Sequence, residues 1–500
     1  MSRSLLPLKP RVALLSAAIA GACLPLAFAP FGVSSLAVIS PALLWLLWGH
    51  TTPAQAARLG FGWGVGAFLA GTYWLYISIH IFGQAPAPVA ILLMLALVAI
   101  MAGYFAAVGY LQARTRLRGG WLWLLYLPCA WVLIEWVRGW LFSGFPWLSL
   151  GYAFTDGWLA GYGPVLGVYG ISLAAAILAG AGVALLRGSF AVRALSVIVA
   201  GAVLGGGLLL SRISWVEPID RELRVALVQG AVSQDRKWLA EQLDPTKALY
   251  RDLSLPFLDY DLIVWPEAAI PSMIDQEHEY LELMRSTAEA GGADIMLGML
   301  EYEPNSGSYF NSLLVLGEPP AIYRKRHLVP FGEYFPVPAF VREWMRLMSL
   351  PYVDIAKGSS EPEPLEVAGL YAAASICYED AFGEEQRVFL PKANLLVNVS
   401  NDAWFGDSIA PHQHLQIARM RAIEAGRFML RATNTGVSAV IAPDGRLLGV
   451  SPQFETDVLT ATIRPYTGAT PYVLIGDGWL WLVALIGVGA SLIASRRRSA

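Results

Sequence analysis

The sequence predicts a helical membrane domain joined to an α/β domain. Its 500 residues are 56% hydrophobic and 15% charged, whereas an ordinary soluble domain is about 45–50% apolar and about 25% charged. Nearly all acidic residues lie between Glu217 and Asp457, which leaves the first two fifths almost free of them. At Arg224 the long apolar stretches give way to short β-branched runs separated by acidic helical segments. The net charge of −3 argues against a nucleic-acid partner.

Eight apolar stretches are predicted to be membrane spans, because a helix needs about 20 apolar residues to cross a bilayer. They fall at about 12–29, 33–49, 59–80, 88–111, 120–141, 160–186, 193–211 and 475–495. The spans divide the chain into a seven-span domain (residues 1–211), an intervening domain (212–474) and a last span with its tail (475–500).

Basic residues mark alternate loops between the predicted spans. They include Arg58, Arg114, Arg187 and the arginines at 496–498. By the positive-inside rule these loops are cytoplasmic, so both termini are predicted inside and residues 212–474 outside. The first span resembles a signal peptide, but Pro30 follows its Ala27-Phe28-Ala29 triplet and disfavours cleavage, so we expect the span to be retained.

The outer domain alternates predicted strands with predicted helices, which favours a layered α/β fold. Strands are predicted at 224–229, 261–265, 293–300, 310–316, 371–376, 394–399 and 437–442, and helices at 237–253, 277–290 and 413–433. Residues 337–350 have apolar positions at helical spacing, which fits either a helix packed on its own domain or an amphipathic arm in the bilayer surface. The loop 140–154 fits an interfacial aromatic belt or part of a lipid access path.

Three chemically different side chains stand directly after predicted strands. Glu267 follows 261–265, Cys377 follows 371–376, and Lys325 lies in a basic run. Catalytic groups of α/β sheets gather at the carboxyl ends of strands. Cys377 is the one cysteine of the outer domain, which suggests a reactive thiol. Lys325, or a helix beginning near 382–390, would favour its thiolate, and Glu267 would act as general base. Each residue taken alone also has a structural explanation: Glu267 as a helix cap, Lys325 as a solvated lysine and Cys377 as a buried structural cysteine.

The motifs around these residues carry a resemblance to a known family. Trp265-Pro266-Glu267, the lysine of the run 325–333 (KRHLVPFGE) and Cys377-Tyr378-Glu379 resemble the Glu-Lys-Cys triad of the nitrilase superfamily. The strings at 328–334, 398–406 and 431–436, with the eight-span frame, are similar to apolipoprotein N-acyltransferases, a membrane-bound branch of that superfamily. The resemblance implies an α-β-β-α sandwich for the outer domain.

The resemblance also implies a reaction and its supporting residues. An acyl chain would pass from the sn-1 position of a phospholipid, typically phosphatidylethanolamine, through a Cys377 thioester to the diacylglyceryl-cysteine amine of an apolipoprotein. Trp238, Glu333, Tyr378 and Glu379 would line or support the site, with Glu333 holding Lys325 or assisting Glu267. The location implied is the bacterial inner membrane, with the catalytic domain on the periplasmic side.

Two other functions remain open at this point. A membrane-bound amide hydrolase would use the same triad with water as acceptor, and a lipid-binding scaffold would keep the domain without activity. The intact triad argues against the scaffold. No cofactor is expected, and His412 and His414 are not expected to bind zinc, because no cysteine lies near them and their segment opens a helix.

Overall fold

The computed structural model describes residues 9–49, 51–115, 117–317, 320–334 and 354–496. The chain forms two compact units. The helical unit comprises the chain up to Trp215, Phe405–Gln416 and the part from Thr470 onwards, and the sheet unit comprises Val216–Trp404 and Ile417–Ala469. Residues 337–350, predicted as a packed helix or a membrane arm, lie outside the described residues.

The described α-helices span the following ranges in chain order: α1 Pro10–Ala22, α2 Leu36–Leu47, α3 Pro53–Gly71, α4 Ala87–Arg114, α5 Leu127–Arg138, α6 Gly163–Arg187, α7 Phe190–Leu210, α8 Gln234–Lys237, α9 Ala240–Ser254, α10 His278–Gly291, α11 Gly383–Arg387, α12 Ala410–Ala425, α13 Pro471–Ile475 and α14 Leu480–Arg496. Short π-helical segments at Ile77–Phe82 and Leu122–Tyr126 follow α3 and precede α5.

Close packing in the helical unit depends on glycine. A Cβ at Gly60 of α3 would lie 2.3 Å from the carbonyl oxygen of Phe105 on α4, and one at Gly64 would lie 2.5 Å from the Cα of Ala102. The two helices therefore touch backbone to backbone, as small residues permit between membrane helices. Three tryptophan and phenylalanine rings fill the neighbouring interior, since Trp63 lies 4.7 Å from Phe105 and 5.1 Å from Trp131 between ring centroids.

Within the described part of the chain, four helical segments are long and apolar enough to cross a bilayer, namely Pro10–Ala27, Ala87–Arg114, Trp158–Arg187 and Phe190–Leu210. The apolar segments Leu36–Leu47 and Pro471–Gly487 are shorter. Each of the eight stretches predicted as spans contains at least part of a helix. A helical membrane region thus agrees with the sequence, while the number of eight spans stays a prediction.

The loop 140–154 is mostly packed inside the helical unit. Trp147, Leu150 and Tyr152 are buried, whereas Trp140 and Phe142 are 53% and 78% exposed. The fully buried Arg138 at the end of α5 donates hydrogen bonds of 2.5 Å to the carbonyl oxygens of residues 145 and 147, which holds the loop against the helix end. The exposed part that could join an aromatic belt is therefore confined to the start of the loop.

The sheet unit contains two six-stranded sheets and a two-stranded one. Its strands are β1 Val216–Pro218, β2 Leu223–Gln229, β3 Leu262–Val264, β4 Asp294–Glu303, β5 Ser308–Val315, β6 Ala321–Arg324, β7 Leu365–Val367, β8 Leu370–Ile376, β9 Leu395–Ser400, β10 Met429–Thr433, β11 Ala439–Ile441, β12 Leu447–Val450, β13 Asp457–Ile463 and β14 Tyr466–Gly468. The strand orders are β13-β2-β3-β4-β5-β6, β12-β11-β10-β9-β8-β7 and β1-β14.

Each large sheet has a parallel centre and antiparallel edges. Strands β2, β3 and β4 run parallel, as do β8, β9 and β10, and the remaining pairs are antiparallel. The central strands β3, β9 and β10 are buried along their whole length, which explains why most of their residues are apolar. The seven predicted strands are confirmed as β2, β3, β4, β5, β8, β9 and β11, and two predicted helices are confirmed as α9 and α10.

Two sequence-based predictions in this unit were wrong. The helix predicted over 413–433 ends at Ala425, and residues 429–433 form β10, a central strand of the second sheet. Gly426, with φ of 63°, ends the helix because a left-handed residue cannot continue it. The helix expected over 382–390 is only the five residues of α11, and Cys377 itself opens a 3-10 turn.

Candidate active site

The three predicted catalytic side chains meet at strand ends within the sheet unit. Lys325 directly follows β6, Cys377 directly follows β8, and Glu267 lies three residues after β3. The Lys325 Nζ lies 3.6 Å from Glu267 Oε1, and both charged groups act electrostatically on the Cys377 thiol. The backbone of Cys377 is left-handed, with φ of 53°, a conformation that non-glycine residues adopt mainly where the surroundings enforce it.

Glu333 completes a charged cluster around Lys325. Its Oε1 lies 2.8 Å from the Lys325 Nζ, closer than the Glu267 carboxylate. Lys325 is 1% exposed, so the alternative of a solvated lysine is wrong. Burial lowers the pKa of the Lys325 ammonium, but the Glu333 and Glu267 carboxylates outweigh it, and the pKa is raised overall. The lysine is therefore a permanent cation in the site.

Glu267 lies in a turn rather than at a helix start, so the helix-cap reading of this residue is also wrong. Its Oε2 accepts a hydrogen bond of 2.9 Å from the backbone N–H of Asn401, which follows β9. Its Oε1 accepts one of 2.8 Å from Asn311 Nδ2 on β5. Both oxygens of the carboxylate are thus held by neutral donors, which fix its orientation.

Cys377 rests as a thiol rather than as a preformed thiolate. Burial, followed by the nearby Glu267 carboxylate, raises the pKa of the thiol, and Lys325 offsets only part of this increase. A hydrogen bond with the Ser400 side chain also favours the thiolate. The raised pKa favours the protonated thiol, so a base would have to remove its proton before the sulfur could act as a nucleophile.

Glu379 ties the cysteine turn to the lysine loop. Its side chain is 2% exposed and accepts four hydrogen bonds. The donors are Ile376 N at 2.7 Å and Tyr323 Oη at 2.9 Å on Oε2, and Arg326 N at 2.6 Å and His327 N at 3.0 Å on Oε1. Burial raises the pKa of Glu379 overall, and the backbone donors and the Lys325 charge offset only part of this increase.

A buried ionic network lies on the other side of the cysteine turn. The Arg431 guanidinium is fully buried and contacts Asp380 Oδ2 and Asp402 Oδ2, each at 3.0 Å. Asp402 Oδ1 in turn accepts the Ser400 hydroxyl proton at 3.0 Å. Asn398 Nδ2 donates to the Cys377 carbonyl oxygen at 3.3 Å. The nucleophile is therefore held through both its backbone and its sulfur.

The remaining predicted site residues lie at the edge of this arrangement. Trp238 is half exposed, and the described contacts do not join its ring to the three catalytic side chains. Its neighbour Lys237 is buried and donates to the Glu267 carbonyl oxygen at 3.2 Å. Tyr378 packs edge-on against Phe382, at 5.1 Å between ring centroids.

Sequence reasoning missed four contributors, namely Lys237, Asn311, Ser400 and Arg431. Among the described residues, no group of three His, Cys, Asp or Glu side chains is arranged to hold a metal ion.

A base, a buried lysine and a cysteine at strand ends of two sheets define a nitrilase-like enzyme, attached here to an apolar helical unit. The family model for carbon-nitrogen hydrolases matches residues 224–472, and the model for the apolipoprotein N-acyltransferase N-terminal domain matches residues 20–181. The chain belongs to the apolipoprotein N-acyltransferase family.

The relatives match along nearly the whole chain. The apolipoprotein N-acyltransferase of Methylococcus capsulatus is 42% identical, over 98% of this chain and 97% of its own length. That of Nitrosomonas europaea is 41% identical, over 93% and 94%. A crystal structure of a carbon-nitrogen hydrolase from Helicobacter pylori has 18% identity and a TM-score of 0.38, over 49% of this chain and 89% of that one.

Proposed function

We propose that the protein transfers an acyl chain from the sn-1 position of a phospholipid, through a Cys377 thioester, to the N-terminal amine of apolipoproteins. The observation that carries this proposal is the cluster of Glu267, Lys325 and Cys377 in a chain of the apolipoprotein N-acyltransferase family. Covalent catalysis suits the reaction because it divides one difficult transfer into two easier ones.

In the first step Glu267 removes the thiol proton, and the Cys377 sulfur forms a bond to the ester carbonyl carbon. The negative charge moves to the carbonyl oxygen, where the Lys325 ammonium stabilises it. The carbon–oxygen ester bond then breaks, and Glu267 returns the proton to the departing lysophospholipid oxygen. Support comes from the raised pKa of the thiol, which demands a base, and from the permanent charge on Lys325.

In the second step the α-amine of the apolipoprotein's diacylglyceryl-cysteine attacks the thioester carbonyl carbon. A carbon–nitrogen bond forms, the carbon–sulfur bond breaks, and the amine proton passes through Glu267 to the departing sulfur. The same base and the same cation serve both steps, because each proceeds through a tetrahedral oxyanion. Trp238 and Tyr378 would contact the lipid substrates, and Glu333 and Glu379 would hold Lys325 and the cysteine turn.

The membrane topology belongs to the same proposal. Eight spans would place residues 1–211 and 475–500 in the inner membrane and residues 212–474 on the periplasmic side, with both termini cytoplasmic. The alternation of basic loops supports this orientation. Arg138 is a basic residue on the proposed periplasmic side. It does not weigh against the orientation, because it is fully buried and donates hydrogen bonds to backbone carbonyl oxygens. Phosphatidylethanolamine is the proposed donor.

Product analysis tests the proposal. Purified full-length protein is incubated in detergent with phosphatidylethanolamine and a synthetic diacylglyceryl-cysteine peptide, with Cys377→Ala as the matched control. We expect N-acylated peptide and lysophospholipid in equal amounts from the wild type, and neither from the variant. Release of free fatty acid without peptide amide would show that water is the acceptor and would replace the transferase by a hydrolase.

A further inference from the structure

Asn311, on β5, lies among the charged side chains of the site although nothing in its residue type marks it as catalytic. Its side chain is buried. Its Nδ2 donates to Glu267 Oε1 at 2.8 Å and to Glu333 Oε1 at 3.2 Å. One neutral amide group therefore joins two carboxylates that carry the same charge.

The same two oxygens are joined a second time by Lys325. Its Nζ lies 3.6 Å from Glu267 Oε1 and 2.8 Å from Glu333 Oε1. The other oxygen of each carboxylate accepts a backbone hydrogen bond. Asn401 N donates to Glu267 Oε2 at 2.9 Å, and Val329 N donates to Glu333 Oε2 at 2.8 Å. Glu333 thus receives three hydrogen bonds, whereas Glu267 receives two from neutral donors and forms an ion pair with the Lys325 ammonium at 3.6 Å.

This arrangement has a consequence for protonation. Two carboxylates that share a site tend to retain a proton, whereas hydrogen bonds to their charged forms oppose that tendency. The titratable groups that face the pair are Lys325 from the loop after β6, Cys377 from the turn after β8 and Lys237 from α8. The Lys325 ammonium is the charged group that contacts both carboxylates. The Asn311 amide stabilises the two carboxylates further without adding a second positive charge, which would weaken Glu267 as a base.

Asn311 also acts on the lysine itself. Its carbonyl oxygen accepts the backbone N–H of Lys325 at 2.8 Å, which continues the pairing of β5 with β6 beyond Ser312 and Arg324. The residue therefore fixes the main chain of the cation and the side chains of both anions at once.

We infer that Asn311 is a positioning residue that holds the Glu267 and Glu333 carboxylates together around Lys325, and that this arrangement sets the lower pH limit of Cys377 acylation. This inference rests on the proposed function, since it concerns the residues that surround the proposed base of thioester formation.

The test is the pH dependence of Cys377 acylation in a single turnover. Full-length protein in detergent is mixed with phosphatidylethanolamine alone, and the acyl-enzyme is followed by mass spectrometry between about pH 5 and 9. The variants are Asn311→Ala, Glu333→Gln and the double variant. Ser312→Ala is the matched control, because Ser312 is the next residue of β5, is equally buried and bonds Glu301 at 2.9 Å instead.

We expect Asn311→Ala to move the acid limb of the rate profile upward by about 1–2 pH units, the effect of losing a hydrogen bond to a charged group. Acylation should then fall about 10- to 100-fold on the limb and recover at higher pH. Ser312→Ala should leave the limb in place. In the Glu333→Gln background the Asn311 substitution should still move the limb upward, because the hydrogen bond of 2.8 Å from Asn311 Nδ2 to Glu267 Oε1 is lost there as well.

A rate that falls equally at every pH, an unchanged rate, or an acid limb that does not move in the Glu333→Gln background would overturn the inference. Absence of acylation in the wild type would instead contradict the proposed function, so the two failures are distinguishable. Should Asn311→Ala not yield folded protein, Asn311→Ser retains a small polar side chain and is judged by the same criteria.

Discussion

Replacing Glu379 by glutamine is expected to damage both stability and thioester formation. The carboxylate accepts hydrogen bonds from Ile376 N, Tyr323 Oη, Arg326 N and His327 N, at 2.6–3.0 Å. Two donors meet each oxygen. The glutamine amide has only one acceptor oxygen. In either orientation its NH₂ group therefore lies against two groups that donate to the Glu379 carboxylate in the wild type.

The size of the effect follows from these contacts. A hydrogen bond to a charged group contributes about 1.5–3 kcal/mol, so losing two of them sets an upper range of about 3–6 kcal/mol. Relaxation of the loop recovers part of this, and we expect the free energy of unfolding to fall by about 3 kcal/mol. Because Glu379 joins the loop of Lys325 to the turn of Cys377, a shift of about 1 Å between them should slow acylation about 100-fold.

The assay combines chemical unfolding in detergent with the rate of acyl-enzyme formation. Glu384→Gln is the matched control on the same segment, because Glu384 forms a partly exposed pair with Arg387 and should change stability by less than about 1 kcal/mol. Unfolding within about 1 kcal/mol of the wild type, together with normal acylation of Glu379→Gln, would refute the role given to this carboxylate.

Three further variants have definite expected outcomes. Lys325→Ala should reduce the acylation rate by about 10²–10³, the cost of losing an oxyanion donor, and a smaller loss in single-turnover kinetics would remove Lys325 from that role. Ser400→Ala should slow alkylation of Cys377 by iodoacetamide about 2- to 10-fold at neutral pH, because the hydroxyl lowers the pKa of the thiol; an unchanged rate would show that the hydroxyl does not act on the sulfur. Burial lowers the pKa of Lys237 from 10.5 to about 8. Between these two pH values the unfolded chain binds more protons than the folded chain, so the free energy of unfolding rises with pH, by up to about 3 kcal/mol. Unfolding measured against pH should show this rise in the wild type and lack it in Lys237→Met.

The sheet unit, and the positions of Glu267 and Cys377 near strand ends, could be predicted because local sequence carries both signals. The strands β3, β8 and β9 are almost completely buried and are therefore rich in apolar residues. Polar residues directly after such runs, at Glu267 and Cys377, indicate strand ends where catalytic groups gather. These signals require no knowledge of distant contacts.

The residues that were missed depend on partners far away in the chain. Arg431 made β10 look unlike a buried strand, and its charge is tolerated only because Asp380 and Asp402 pair with it. The sequence around Asn311 gives no sign of a role, because its partners Glu267 and Glu333 lie in the turn after β3 and the loop after β6. A charged or amide residue in a strand therefore gives no local sign of whether it is buried and paired.

Apolar length alone also left the membrane region partly undetermined. The stretch 120–141 was predicted as one span, and its π-helical segment Leu122–Tyr126 continues directly into α5, which ends at Arg138. The stretch 59–80 extends past the end of α3 at Gly71. Hydropathy does not encode where a helix bends or ends, because glycines and turns inside an apolar stretch cost little in mean hydropathy.

The central claim is that Cys377 carries the acyl chain, and intact-mass measurement tests it most directly. Full-length protein is incubated with phosphatidylethanolamine alone, and the mass is recorded before and after neutral hydroxylamine. We expect the wild-type protein to gain one acyl group on a peptide that contains Cys377 and to lose it in hydroxylamine. Cys377→Ala should gain none. An unmodified wild type, or an acyl group that persists in Cys377→Ala, would contradict it.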